Sequence, residues 1–271
     1  SGTWTTGVGK LGGATASYNG QTTTTLAASL VAGNIIYHKG AGQTWNEAVT
    51  LSANGSTAAL IMVEGYNATR GDAPIGSTRP PNARAGGAGT GITISGSDYL
   101  LKYLIVSGAA VNGVYNTGAR VGYVAVRATG NASNGIRVGS TDTSVAISEV
   151  DLNSNMGVQL ESRGILYAND IHNNTAGGIV QSSSNFASII KNIIVKNAGH
   201  GISFTANHAH AAIIGNTIEG NTGATTDGIN VASGLAFSPE SIVMNNIIAT
   251  NGRDGVRKVT SSASDLLAWF A

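Results

Sequence analysis

The chain has 271 residues, enough for one sizeable core or two smaller ones. Only 11% of them are charged, for a net charge of +1, which excludes the dense basic face a nucleic-acid partner requires. It has no cysteine, hence no disulfide and no thiolate metal site, and no run of about 18 apolar residues that would span a membrane. Glycine is abundant at 38 residues, yet Ile and Val recur throughout, which disordered chains lack; many short strands joined by tight turns fit that mixture.

In chain order, residues 25–32 (Thr-Leu-Ala-Ala-Ser-Leu-Val-Ala), closed by Gly33, read as a short helix with a threonine N-cap and a glycine stop. Such a helix suits the end of a stacked fold, where it would lie as a lid over open core. Strand-like runs follow at residues 34–38, 47–51, 59–64, 91–94 and 99–106. Between them, residues 65–89 hold three of the four prolines together with Arg70, Arg79 and Arg84, and read as a long surface loop.

From residue 113 a repeat takes over. Gly followed by Val or Ile recurs at Gly113, Gly135, Gly157, Gly178, Gly201, Gly228 and Gly255, at intervals of 22, 22, 21, 23, 27 and 27 residues. Four residues ahead of most of these glycines stands an Asn: Asn131, Asn153, Asn174, Asn197 and Asn251. A second Asn lies five residues earlier still, at Asn169, Asn192, Asn216 and Asn246, each followed two residues later by Ile. The unit is N-x-I-x-x-N-x-x-x-G-[IV]. Alternating Ile makes a short strand with one face inward, Gly and Asn tolerate positive φ at sharp turns, and an Asn repeated in every coil can hydrogen-bond along the stack. A period of 21 to 27 belongs to solenoids; strand-like texture rules out helical repeats, and sparse leucine rules out leucine-rich ones. The longer coils place their extra residues in loops at 207–212, 223–227 and 234–239.

The expected fold is therefore all-β: a right-handed parallel β-helix solenoid with a short N-terminal capping helix. Residues 1–271 form one domain, with a cap and irregular first coils over 1–90 and regular coils over 91–271. The coil opened by Gly255 would reach its next Asn at about position 273, so the repeat breaks mid-unit. The expectation is a longer natural polypeptide, the alternatives being that Leu266 to Phe270 fold across the last coil as a cap or that partner subunits cover the end.

These coils resemble the repeats of the pectin-lyase-like superfamily. So do the runs Gly33-Asn-Ile-Ile-Tyr-His-Lys-Gly40, Trp45-Asn-Glu-Ala-Val-Thr-Leu51 and Ile61-Met-Val-Glu-Gly-Tyr66, which are similar to the first coils of polysaccharide lyases. The resemblance covers nearly the whole chain and implies architecture, because its motifs encode strands and turns. The superfamily includes lyases, glycoside hydrolases, tailspikes and adhesive proteins, and the fold does not choose among them. For a lyase it implies a Lys or Arg base, often with Ca²⁺ held by carboxylates; for a hydrolase, clustered Asp residues.

One acidic patch answers to that chemistry. Glu149 and Asp151 share a coil, with Asp170 and His172 at matching positions 21 residues on, and Glu219 continues the Asp151/His172 row beyond Val195. Matching positions in adjacent coils lie about 4.8 Å apart, so these four residues make half of an acid–base or calcium site. No Lys or Arg occupies that row, Arg163 and Lys191 fall elsewhere in the unit, and no adjacent Asp-Asp pair exists. The ordinary reading of the patch is a solvated surface beside a turn. The third residue of each Gly-Ile-x strand points outward, giving a row from Tyr115, Arg137 and Gln159 through Val180, Ser203 and Asn230 to Arg257; its first three members are candidates to bind a glycan. His208 and His210 alternate as metal ligands would, without an acidic neighbour. Trp4, Trp45 and Trp269 are scattered, and Arg253, Asp254, Arg257 and Lys258 read as a surface charge cluster.

Two functions follow. One is a structural or glycan-binding β-helix of a virion fibre, tailspike or cell surface, extracellular or virion-associated, with a polysaccharide or surface glycan as partner and a trimer as its homo-oligomer. The alternative is a polysaccharide lyase or glycoside hydrolase acting on an acidic polysaccharide.

Overall fold

The computed structural model describes residues 30–39, 48–79, 81–83, 88–183, 186–206, 211–232 and 241–258. The described strands, of three to six residues, stack into three parallel sheets. The first sheet holds nine strands from Ile35–Lys39 to Ile242–Met244, the second eight from Pro81–Ala83 to Ile247–Ala249, and the third nine from Val49–Leu51 to Val256–Lys258. The chain visits the sheets in that order and climbs one strand per coil.

The core is a set of stacked aliphatic columns. In the second sheet Val106, Ala128, Val150, Ile171, Ile194 and Ile218 stand in register, all fully buried. Burying one such Val or Ile is worth roughly 1.5–3 kcal/mol, and the repeat delivers it at three sheets per coil. In this sheet the inward residue of each three-residue strand is flanked by two outward ones, which places Glu149 and Asp151 on the outer face around Val150.

Two columns of asparagine fix the corners. Asn169, Asn192, Asn216 and Asn246 form the expected column between the first and second sheets, each Nδ2 donating to the next Oδ1 at 2.9, 3.0 and 2.9 Å. Asn131, Asn153, Asn174, Asn197, Asn221 and Asn251 form the other, between the second and third sheets, at 2.8 to 3.0 Å. Each interior side chain also donates to a carbonyl of the coil below, as Asn192 does to Leu166, and accepts the backbone N–H of the preceding ladder member.

Positive φ falls elsewhere than the repeat pattern implied. Neither the ladder asparagines nor the repeating glycines adopt it; the residue just before each ladder Asn does, at Ala168, Lys191, Leu152, Asn173 and Lys196 among others. The repeating glycines are required by close approach. A Cβ on Gly157 would stand 2.8 Å from the Gly178 carbonyl and 2.8 Å from the Asn174 amide of the next coil.

Three further expectations are revised. The helix expected at 25–32 lies outside the described residues up to 29, and residues 30–33 form an irregular stretch and a turn. The run 99–106 is two strands in different sheets, Tyr99–Lys102 and Ile105–Ser107, bent apart at Tyr103 with φ +57°. The 65–89 segment is not all surface loop: it contains a 3₁₀ turn, Gly76–Thr78, and Pro81–Ala83, which pairs with Ile105–Ser107, and Arg79 between them is buried.

Candidate functional site

The second sheet brings the predicted acidic patch together. Its register pairs Glu149 with Asp170 and Asp151 with His172, and continues through Val195 to Glu219. One ligand atom each from Glu149, Asp151 and His172 lies within 4.8 Å of the others. Asp170, though beside Glu149 in register, is exposed and outside that group, and Glu219 stands three coils from Asp151.

The patch contains two guanidinium groups that the sequence reading missed. Arg127, one coil below Glu149 and in register with it, grips Asp151 with a fork: Nε donates to Oδ1 at 3.0 Å and Nη2 to Oδ2 at 2.7 Å. Its Nε is also 3.4 Å from Glu149 Oε1. Asp151 points outward from the sheet but is only 1% exposed, because Arg127 covers it. The hydrogen bonds to Asp151 hold the Arg127 guanidinium more firmly protonated than usual.

Arg79 approaches from the segment before Pro81–Ala83, its side chain nine-tenths buried, with Nη2 3.9 Å from Glu149 Oε2. Among the described residues its buried Nε and Nη1 have no hydrogen-bond partner. Burial lowers its proton affinity, the Glu149 carboxylate raises it and Arg127 lowers it further. An arginine so placed stays charged, and leaving two of its donors unpaired is costly. On the other side, His172 Nε2 lies 3.8 Å from Glu149 Oε1, an electrostatic contact longer than a hydrogen bond. His172 Nδ1 is 2.9 Å from Asn173 Nδ2; with the amide donating, Nε2 carries the ring proton and faces Glu149. Two guanidinium groups thus balance two carboxylates, with the imidazole beside them.

Calcium does not suit this donor set. Both Asp151 oxygens are taken by the Arg127 fork and one of the three candidate ligands is an imidazole nitrogen, whereas Ca²⁺ gathers six to eight oxygens.

The third sheet carries the other predicted row, with Tyr115, Arg137 and Gln159 on successive strands and Val180, Ser203, Asn230 and Arg257 following in register. The Arg137 guanidinium stacks on the Tyr115 ring at 4.7 Å from its centroid. Arg137 Nη2 and Gln159 Nε2 both donate to Glu161 Oε1, at 2.8 and 2.9 Å, and Asn134 Nδ2 donates to Gln159 Oε1 at 2.7 Å. Glu161 lies just past its strand, where the repeat pattern assigns no facing, and so escaped the sequence reading.

The Arg253 cluster is more than surface charge. Arg253 forks onto Asp227 of the preceding coil at 2.9 and 2.7 Å, and that carboxylate is fully buried. The Asp227 backbone N–H donates to His200 Nδ1 at 2.9 Å, and burial lowers the proton affinity of this imidazole. His208, His210 and the three tryptophans lie outside the described residues.

A family model described as "right handed beta helix region" matches residues 90–248. Among solved structures, the pectate lyase Pel9A aligns with a TM-score of 0.64 at 14% identity, over 92% of this chain and 78% of that one. An alginate lyase from Paenibacillus sp. str. FPU-7 aligns at 0.55 and 13% identity, over 88% and 95% of the two chains. The A-module of the Azotobacter vinelandii mannuronan C-5 epimerase AlgE4 aligns at 0.51 and 13% identity, over 86% and 81%. At such identities the likeness is one of fold. A search of curated proteins returns no match.

Proposed function

The chain belongs to the right-handed β-helix family, and on that premise we propose that it acts on an acidic polysaccharide at the outer face of the second sheet. The observation that carries this reading is the convergence of Glu149, Asp151 and His172 with Arg127 and Arg79. The fold neighbours are named for pectate, alginate and mannuronan, all polymers of acidic sugars, which agrees with a site holding two guanidinium groups.

The chemistry runs from the residues. A sugar carboxylate seated against the exposed edge of Arg127 has its charge countered as the neighbouring C–H is deprotonated and electron density moves into the carboxylate. Asp151, locked by the fork, holds Arg127 in place. Glu149 takes the proton, His172 Nε2–H gives its own to the leaving oxygen or to the carbon, and the proton on Glu149 passes to Nε2, so both groups end as they began. Elimination of the glycosidic oxygen gives an unsaturated uronate; return of the proton to the opposite face gives an epimer.

The test is turnover on a panel of polygalacturonate, alginate and neutral glycans, read as ultraviolet absorbance of the new conjugated double bond and as ¹H NMR of the sugar ring. Turnover on a polyuronate, abolished in Glu149→Gln and His172→Ala with unchanged circular dichroism, is the expected result. Turnover that survives both substitutions places the reaction elsewhere.

A binding β-helix of a fibre or cell surface is the second reading, favoured by the pre-ordered row of Tyr115, Arg137, Gln159 and Glu161, which needs little further ordering to hold a glycan. Retention on immobilised polysaccharide without any change in the sugar, lost in Arg137→Ala, would select it. Either reading suits an extracellular or virion-surface setting.

A further inference from the structure

Charge is unevenly placed along the outer face of the second sheet. Its two outward rows stand two residues apart, about 7 Å, while its eight strands run for roughly 34 Å. That face is one sugar wide and many sugars long, so a polymer engaging it lies along the solenoid axis, with about one unit per coil. Up one row the register gives Arg127, Glu149, Asp170, Ile193, Thr217 and Ile247. Below Glu149 stand the guanidinium groups of Arg127 and Arg79. Above it the row turns to an exposed carboxylate, Asp170, and then to Ile193, 48% exposed. Half-buried Val195 shares the outer face with Ile193, and the exposed Glu219 carboxylate follows one coil on.

Among the described residues, neither Asp170 nor Glu219 forms an ion pair. The lysines of the Ile193–Val195 coil, Lys191 and Lys196, stand at its two corners and follow them. Lys191 Nζ lies over the Tyr167 ring of the first sheet, 5.8 Å from its centroid, and Lys196 Cγ packs at the Gly220 position of the coil above. With the reacting uronate on Arg127 and Glu149, the next unit falls over Asp170 and Ile193. A carboxylate on that unit meets a like charge and an isoleucine, with no counter-charge. A neutral sugar fits both: its hydroxyls donate to Asp170, and its C–H face lies on Ile193 and Val195. On the reaction site proposed above, we propose that Asp170 is a specificity-determining residue. It selects polymers whose reacting uronate is followed, on the side away from Arg127, by a neutral or esterified sugar. Like charges about 5 Å apart at a protein surface repel enough to weaken binding about tenfold.

Affinity electrophoresis of the full chain in polygalacturonate and in alginate, each bare and half-esterified, tests this without requiring turnover. Asp170→Asn keeps the shape of the side chain and removes its charge. It should tighten binding to a bare polymer about tenfold at low salt, and to the half-esterified form by about twofold or less. The gain should shrink as salt is raised. A merely structural role for Asp170 would give no gain of affinity. An unchanged affinity for the bare polymers, or an equal change on bare and esterified forms, overturns the selection by Asp170 and leaves the reaction site standing. A wild-type chain that binds neither polymer in either form overturns both.

Discussion

Replacing Asn192 by Leu tests the load on the corner ladder. Its Oδ1 accepts the Asn169 backbone N–H at 3.0 Å and Asn169 Nδ2 at 2.9 Å, while its Nδ2 serves the Leu166 carbonyl at 3.0 Å and Asn216 Oδ1 at 3.0 Å. Leucine is nearly isosteric, so little volume changes and the hydrogen bonds dominate. The Asn169 N–H, in a residue 1% exposed, loses its partner and costs about 1–3 kcal/mol; Asn169 Nδ2 keeps its bond to the Val145 carbonyl. Loss of the amide–amide bond to Asn216 adds about 1 kcal/mol, for a total of roughly 2–4 kcal/mol. Urea unfolding followed by circular dichroism reads this as a lower midpoint, with the slope checked because solenoids need not unfold as one unit. Asn246→Leu, at the half-exposed end of the same column, should cost about 1 kcal/mol or less, since water can satisfy what it leaves behind. Equal midpoints for Asn192→Leu and wild type would refute the ladder as a source of stability.

Arg127→Leu strips the fork from the buried Asp151 carboxylate and should cost about 3–5 kcal/mol; Arg127→Leu with Asp151→Leu should recover much of it, and a fully additive loss would contradict the pairing. Burial pushes the His38 imidazole down to about 3, so between pH 6.5 and about 3 the unfolded chain takes up a proton that the fold refuses. Stability from this group is complete above pH 6.5 and falls by about 1.4 kcal/mol per pH unit toward acid, and His38→Leu should flatten that slope in pH-dependent melts. Ile147 is a β-branched residue at φ +52° and is largely exposed, so Ile147→Asn should stabilise by about 1 kcal/mol; a lower melting temperature would mean that its side chain is held by a contact.

The solenoid was legible because its two ladders and its glycines recur at fixed offsets. Asn221 was missed for a simple reason: residues inserted between it and Gly228 stretch the usual offset of four to seven. Arg127 was legible in principle, standing four residues before Asn131 as Glu149 stands before Asn153. Arg79 was not, since it belongs to no repeat and reaches the patch only because Pro81–Ala83 docks on the second sheet. The turn at Tyr103 was equally hidden: a residue without special backbone freedom adopts positive φ there, and no local composition marks it.

Those turns and the site share one cause. A non-glycine residue at positive φ costs about 1–2 kcal/mol, yet Ala168, Lys191, Leu152 and Thr250 all adopt it, each directly ahead of a ladder Asn. The cost is offset where the Asn side chain takes up the amides and carbonyls that the turn turns inward. Each ladder therefore imposes a corner that the local sequence does not prefer, and the second sheet, only three residues wide per coil, is held at both edges. The strand Asp170–His172 stands between Asn169 and Asn174. Glu149–Asp151 stands between Ser148 and Asn153, with Ser148 accepting the Val126 N–H at 3.2 Å where the asparagine column begins. Side chains carried on strands pinned this way keep their spacing from coil to coil, the rigidity that the chemistry proposed for Glu149, His172 and Arg127 demands. Relaxing Asn174 should accordingly disturb the His172–Glu149 geometry before it unfolds the coil.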